Sequence, residues 1–146
     1  MLKSNQMEAC LFCQIIAGSL PCEKVIETSH YMAFKDIHPK APVHILIVPK
    51  RHVERPEELR AEEIHDMLRG SEEIAQILGV KETGYRLLFN VGQHAGQEID
   101  HAHLHLLGGA PAKGLYWSKI CQYQLSAGNL LVNMTIVYFR ACLKSN

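Results

Sequence analysis

The chain has 146 residues, with fifteen Lys plus Arg balancing fifteen Asp plus Glu. That balance argues against nucleic acid or an anionic membrane surface as partner, because either would call for a basic excess or a long basic run. Hydrophobic residues at 47% and charged residues at 21% suit one soluble globular domain with a substantial core. No stretch reaches the roughly 18 uninterrupted apolar residues that a membrane helix needs. The unusual count is nine histidines, groups that titrate near neutral pH. Nothing at the N-terminus pairs a basic lead with a long apolar run, so no secretory signal is read there. The odd count of five cysteines favours free thiols or a metal site over a disulfide scaffold. The expected compartment is the cytoplasm.

In chain order, Leu11, Phe12, Ile15 and Ile16 follow helical spacing and Gly18 closes the segment, which predicts a short amphipathic helix over residues 8–17. Strand-like runs at 24–27 and 31–36, separated by Thr28-Ser29-His30, predict a hairpin. Residues 43–48, stopped by Pro49, are apolar on both parities, as in a strand covered on both faces. Pro56, Glu57 and Glu58 suit a first helical turn. The stripe Ile64, Met67, Leu68, Ile74, Ala75, Leu78 then continues that helix to Gly79, with Gly70 a weak point inside it. Further strands are expected at 85–91 and 102–107, joined through Gly92-Gln93-His94-Ala95-Gly96-Gln97. The class is α+β, an antiparallel sheet of about five strands with one long and one short helix.

The sharpest pattern is His101-Ala102-His103-Leu104-His105-Leu106-Leu107. On a strand the three histidines share one face, about 7 Å apart in sequence order, and Ala102, Leu104 and Leu106 face the core. One zinc ion with bonds of about 2 Å cannot hold all three, so separate tasks along a groove are expected. The preceding glycine-rich loop offers backbone N–H groups that can cradle a phosphate. A neutral imidazole beside it can attack phosphorus while a second protonates the departing group. Cys10-x-x-Cys13 is the spacing that gives two thiolates to one metal, or else two reduced thiols on a short helix. His44 lies in an apolar strand, where a hydrogen-bonded core histidine is the alternative to a catalytic one.

The triad pattern resembles the histidine-triad (HIT) family of nucleotide hydrolases and transferases. Phe34-Lys35-Asp36-Ile37, Ala41-Pro42-Val43-His44 running to Val48-Pro49-Lys50-Arg51-His52, and Gly84-Tyr85-Arg86 leading to Asn90 agree in order. Leu106-Leu107-Gly108-Gly109 is similar to the Hint branch, which hydrolyses purine nucleoside phosphoramidates. The resemblance covers roughly residues 10–110, so a HIT domain at 1–110 and a C-terminal extension at 111–146 are expected. In that extension Trp117 is a candidate cover for a partner's site. The resemblance implies that His103 is the nucleophile, that His105 contacts phosphate and assists the leaving group, and that His44 supports them. It implies that Asp36 accepts the ribose hydroxyls, that Phe34 and Ile37 line the base pocket, and that Asn90, Gly96, Gln97 and Glu98 lie on the phosphate side. Glu98 stands where many members carry Ser or Thr, and Asp100 replaces a usual apolar or aromatic residue, which bears on rate and substrate choice. Some members bind structural zinc with a set that maps to Cys10, Cys13, His52 and His101; no catalytic metal is expected. The implied activity is cleavage of purine nucleoside 5′-phosphoramidates, AMP-amine or aminoacyl-adenylate, through a nucleotidyl-histidine, by a homodimer. The alternatives are a nucleotide-binding module with weak or no catalysis and a dinucleoside polyphosphate hydrolase.

Overall fold

The computed structural model describes residues 10–111. The expected extension, including Trp117, lies outside them but for Pro111. Helix α1 (Leu11–Ile16) is followed by β1 (Lys24–Glu27), β2 (Tyr31–Lys35) and β3 (Val43–Pro49). Helix α2 (Ala61–Ile77), β4 (Tyr85–Phe89) and β5 (Leu104–Gly108) complete the fold. All neighbouring strands are antiparallel, in the order β1-β2-β3-β5-β4. This is the α+β arrangement that the sequence predicts.

Side-chain alternation gives the sheet two apolar faces. Tyr31, Ala33, Ile45, Ile47, Leu104 and Leu106 pack against Met67, Ile74 and Ala75 of α2. Met32, Phe34, Leu46 and Val48 face the other way, with Phe12 of α1 against them. That is why β3 is apolar on both parities. Each fully buried Leu, Ile or Phe side chain contributes about 1.5–3 kcal/mol. The face under α1 carries the histidines.

Two expectations about element starts are corrected. Pro56–Glu58 is a separate 3₁₀ turn, and α2 begins only at Ala61. Leu59 and Arg60 are extended, with ψ of 142° and 156°, and break the helical path. Each start has its own acid closing it: Glu58 accepts the Arg55 N–H and Glu63 accepts the Arg60 N–H. Glu63 is buried and also takes Arg51 Nε–H at 2.9 Å and Nη2–H at 2.6 Å, which ties α2 to the end of β3. Leu68, placed in the predicted stripe, is exposed, and Gly70 and Ser71 take buried places instead.

The last strand also starts later than expected. β5 begins at Leu104, opposite Ile47 of β3, so His101, Ala102 and His103 precede it. The next partners on β3 would be Val48 and Pro49, and proline has no N–H to extend a ladder. The Ala102 N–H goes instead to the Val53 carbonyl at 2.6 Å. Likewise β4 ends at Phe89 and β2 at Lys35, so Asn90 and Asp36 stand just past strand ends.

Candidate active site and metal cluster

The chain path gives each triad histidine a different set of neighbours, and those neighbours fix which ring nitrogen carries the proton. A carbonyl can only accept, so a ring nitrogen bonded to one must bear hydrogen. His101 Nε2–H donates to the Pro49 carbonyl at 2.9 Å, which leaves its Nδ1 as the lone-pair atom. His103 Nδ1–H donates to the His101 carbonyl at 2.7 Å, which leaves Nε2 free to act as a nucleophile. His44 Nδ1 accepts the Lys40 backbone N–H at 3.2 Å, so its proton sits on Nε2 and is donated to His105 Nδ1 at 2.9 Å. His105 then carries its own proton on Nε2, which lies 3.4 Å from Asn90 Nδ2 and is accepted by the amide once that group is turned to present its oxygen. Three chemically identical side chains therefore present different ring nitrogens to their surroundings.

His44 and His105 meet because β3 and β5 place them diagonally: His44 opposes Leu107, and His105 opposes Leu46. The rings of His103 and His105 are 4.7 Å apart, closer than the regular strand spacing expected from sequence. Phe12 lies edge-on to His103 at 5.1 Å and to Phe34 at 5.8 Å. Burial holds His103 and His44 below the usual imidazole range. Burial, reinforced by repulsion from His103 and His44, pushes His105 down to about 4. At neutral pH all three are therefore neutral in the free protein, which keeps the His103 lone pair available.

Asp36 occupies the rim. Its Oδ1 accepts the His38 N–H at 2.8 Å, and its Oδ2 lies 3.4 Å from His44 Nε2. Ile37 beside it is 83% exposed, whereas Phe34 is buried. In the loop before the triad, Gly92 and Gly96 hold φ of 79° and 81°, a region open to glycine. The N–H groups of Ala95, Gly96 and Gln97 all bond within this loop, to the Gly92 and Gln93 carbonyls. The Gln97 side chain accepts the Gly92 N–H and donates to the Glu54 and Ile99 carbonyls. Gly96 and Gln97 thus build the loop, and their amides are not turned outward as the expected phosphate cradle. Glu98 is exposed on the same loop.

Cys10, Cys13, His52 and His101 form a second group whose ligand atoms lie within 4.8 Å of one another. His101 Nδ1 is 3.5 Å from Cys10 Sγ and 3.7 Å from Cys13 Sγ, and His52 Nδ1 is 3.2 Å from Cys13 Sγ. Zinc bonds of about 2.3 Å to sulfur and 2.0 Å to nitrogen at tetrahedral angles require sulfur–nitrogen edges near 3.5 Å. The donor set fits such an ion, and the Pro49 carbonyl, by holding the proton on His101 Nε2, leaves the unprotonated Nδ1 turned to it. Asp36, His44 and His105 are also mutually close. There, however, the Lys40 N–H puts the His44 proton on Nε2, the atom a metal would need. That group is built as a hydrogen-bond relay.

Sequence reasoning missed Phe12, whose helical spacing marks it only as apolar. It also missed Lys40, Pro49 and Glu54, whose contributions are backbone groups and leave no trace in residue type. His30 pairs with Asp66 on the surface, and His38, His65 and His94 are exposed, in keeping with their having no part in the triad.

Known proteins share this fold and much of this sequence. The purine nucleoside phosphoramidase of Escherichia coli is 39% identical over 107 residues, covering 71% of this chain and 90% of its own. The crystal structure of a HIT family hydrolase from Legionella pneumophila superposes with a TM-score of 0.67 at 44% identity, over 70% of this chain and 94% of that one. A Zn-bound histidine triad family protein from Mycobacterium smegmatis gives 0.65 at 26% identity, over 76% and 82%. The HIT domain family model matches residues 17–112, and the chain belongs to that family.

Proposed function

We propose that the protein is a nucleotidyl hydrolase that cleaves purine nucleoside 5′-phosphoramidates. The observation that carries this reading is the pair of opposed tautomers: an unprotonated His103 Nε2 beside a protonated His105 Nε2. His103 Nε2 attacks the α-phosphorus, the phosphorus–nitrogen bond to the amine breaks, and His105 Nε2–H supplies the proton to the leaving amine. Approach of the anionic phosphate raises the proton affinity of the His44–His105 pair, which takes one proton from solvent to replace the one given to the amine, so that both rings end neutral. Water next attacks the phosphorus–histidine bond and releases the nucleoside monophosphate and free His103. Asp36 accepts the ribose hydroxyls, Phe34 and Ile37 border the base, and Asn90 steadies the phosphate beside His105. The naming of the Escherichia coli relative as a purine nucleoside phosphoramidase supports the substrate class.

In this reading Cys10, Cys13, His52 and His101 bind zinc, which supplies a structural tie between α1 and the segment leading into β5. The protein pairs as a homodimer, which sedimentation would show directly. Among the described residues no helix is long and apolar enough to cross a membrane.

The test is AMP release from an adenosine 5′-phosphoramidate, with acid-quench trapping of a nucleotidyl-histidine. His103→Ala should lower turnover by at least about a thousand-fold, as loss of a nucleophile does elsewhere. Full turnover by that variant sinks the mechanism. A second reading, nucleotide binding with slow turnover, is favoured by one observation. Glu98, exposed on the loop before the triad, puts a carboxylate close to His103, where an anionic phosphate has to approach.

A further inference from the structure

His44 has one proton on Nε2 and two acceptors facing it. His105 Nδ1 is 2.9 Å away and Asp36 Oδ2 is 3.4 Å away. The two acceptors are not equivalent in consequence. When the proton points to His105 Nδ1, His105 must carry its own hydrogen on Nε2, where a leaving group can take it. When the carboxylate draws the proton, His105 Nδ1 loses its donor, and the other tautomer, with Nε2 bare, becomes accessible. A bare Nε2 has nothing to give to an amine. The carboxylate is held at this spot by its own turn, because Oδ1 accepts the His38 N–H and the Asp36 N–H bonds to the His44 carbonyl at 3.1 Å.

We propose that Asp36 is a positioning residue as well as a ribose acceptor, and that a vicinal diol on the substrate is the switch that turns His44 toward His105. Two hydroxyls donating to the carboxylate satisfy its lone pairs and remove it as a competitor for the His44 proton. The sugar therefore governs the protonation pattern of the leaving-group side, two residues removed from the reacting phosphorus. The preferred substrates are ribonucleotide derivatives, and the discrimination against deoxy-sugars falls on the chemical step. This inference rests on the proposed nucleotidyl transfer, which supplies the leaving group that His105 protonates.

The experiment compares adenosine, 2′-deoxyadenosine and 2′,3′-dideoxyadenosine 5′-phosphoramidates on the wild-type chain and on Asp36→Ala. With wild type, loss of both hydroxyls should lower kcat by about ten-fold or more in addition to raising KM. With Asp36→Ala the competitor is gone, so the dideoxy substrate should turn over faster than it does on wild type. A ribose acceptor that only binds predicts the opposite: a change confined to KM, and no gain for the dideoxy substrate in Asp36→Ala. Either of those results overturns the proposal and leaves nucleotidyl transfer standing.

A readout independent of turnover is the ¹⁵N resonance pair of His105 in wild type saturated with AMP or with 2′,3′-dideoxy-AMP. The proposal expects the Nε2–H tautomer with AMP and a shift toward Nδ1–H with the dideoxy analogue. Identical His105 spectra in the two complexes overturn it even if no substrate is turned over. Absence of nucleoside monophosphate release from all three substrates, with the expected tautomer difference, overturns the hydrolase reading instead.

Discussion

Among the triad residues the difference in ring protonation comes from what each ring faces, and this part of the site is only half legible in the sequence. The alternation of His101, His103 and His105 with apolar residues announced a functional segment, and the resemblance attached roles to positions. The tautomers could not be read, because they depend on the carbonyls of Pro49 and His101 and on the Lys40 N–H. Residue types do not encode those contacts. Glu98 is the departure from pattern with a testable consequence. Its exposed carboxylate lies close to His103 and repels an anionic phosphate drawn up to that ring. Glu98→Ser should therefore raise phosphoramidate turnover by several-fold, about two to ten on the scale of a screened surface charge. Steady-state assays at low and high salt check this, and the gain should shrink as salt screens the wild-type carboxylate.

Strand and helix existence were legible because the patterning is strong, whereas starts and stops depended on partners. The both-parity run of β3 correctly implied two covered faces, since α2 and α1 lie on opposite sides of it. The start of β5 is not legible because an extended, unpaired His101-Ala102-His103 alternates just as a strand does. What ends the ladder is Pro49 on another strand. The start of helix α2 is hidden because Pro56-Glu57-Glu58 is a good first turn in isolation, and the competing start at Ala61 is capped just as well by Glu63. Gly70 shows the same tension between local preference and packing. Intrinsic propensity predicts that Gly70→Ala stabilises α2 by about 1 kcal/mol. A β-carbon there would lie 1.8 Å from Tyr31 Oη and 2.5 Å from its Cζ, and Tyr31 is buried on β2. The substitution should instead destabilise the protein by about 1–3 kcal/mol, the usual cost of overpacking. Urea unfolding gives the sign, and a gain in stability would refute the close approach.

Over the whole molecule, acid and chelation overlap at the thiol–imidazole group, whose ligands acid protonates, so the acid profile belongs to the zinc-free chain. His105 has a folded value of about 4 against 6.5 in the unfolded chain, so the unfolded state binds more protons between those values. Stability from this group is complete above pH 6.5 and declines as pH falls toward 4. Glu63, held at about 2 by the Arg51 guanidinium, adds a further loss as pH falls from 4.5 toward 2. Urea midpoints measured from pH 7 to pH 3 should fall in both windows, and a flat profile above pH 4.5 would contradict the buried neutral imidazoles. Chelation addresses the Cys10, Cys13, His52, His101 group. A zinc-loaded preparation should hold one ion per chain, and its thermal midpoint should drop by several degrees on removal, since a ligand bound only to the folded state stabilises it. Cys13→Ser should show the lower midpoint without chelator. The late start of β5 has a consequence for portability. In a regular ladder the carbonyl of each residue is engaged by a neighbouring strand, so none would be left to orient an imidazole. A His-x-His-x-His motif grafted onto an ordinary strand would copy the letters of this site without its division of labour, because that division is inherited from the path of the backbone before Leu104.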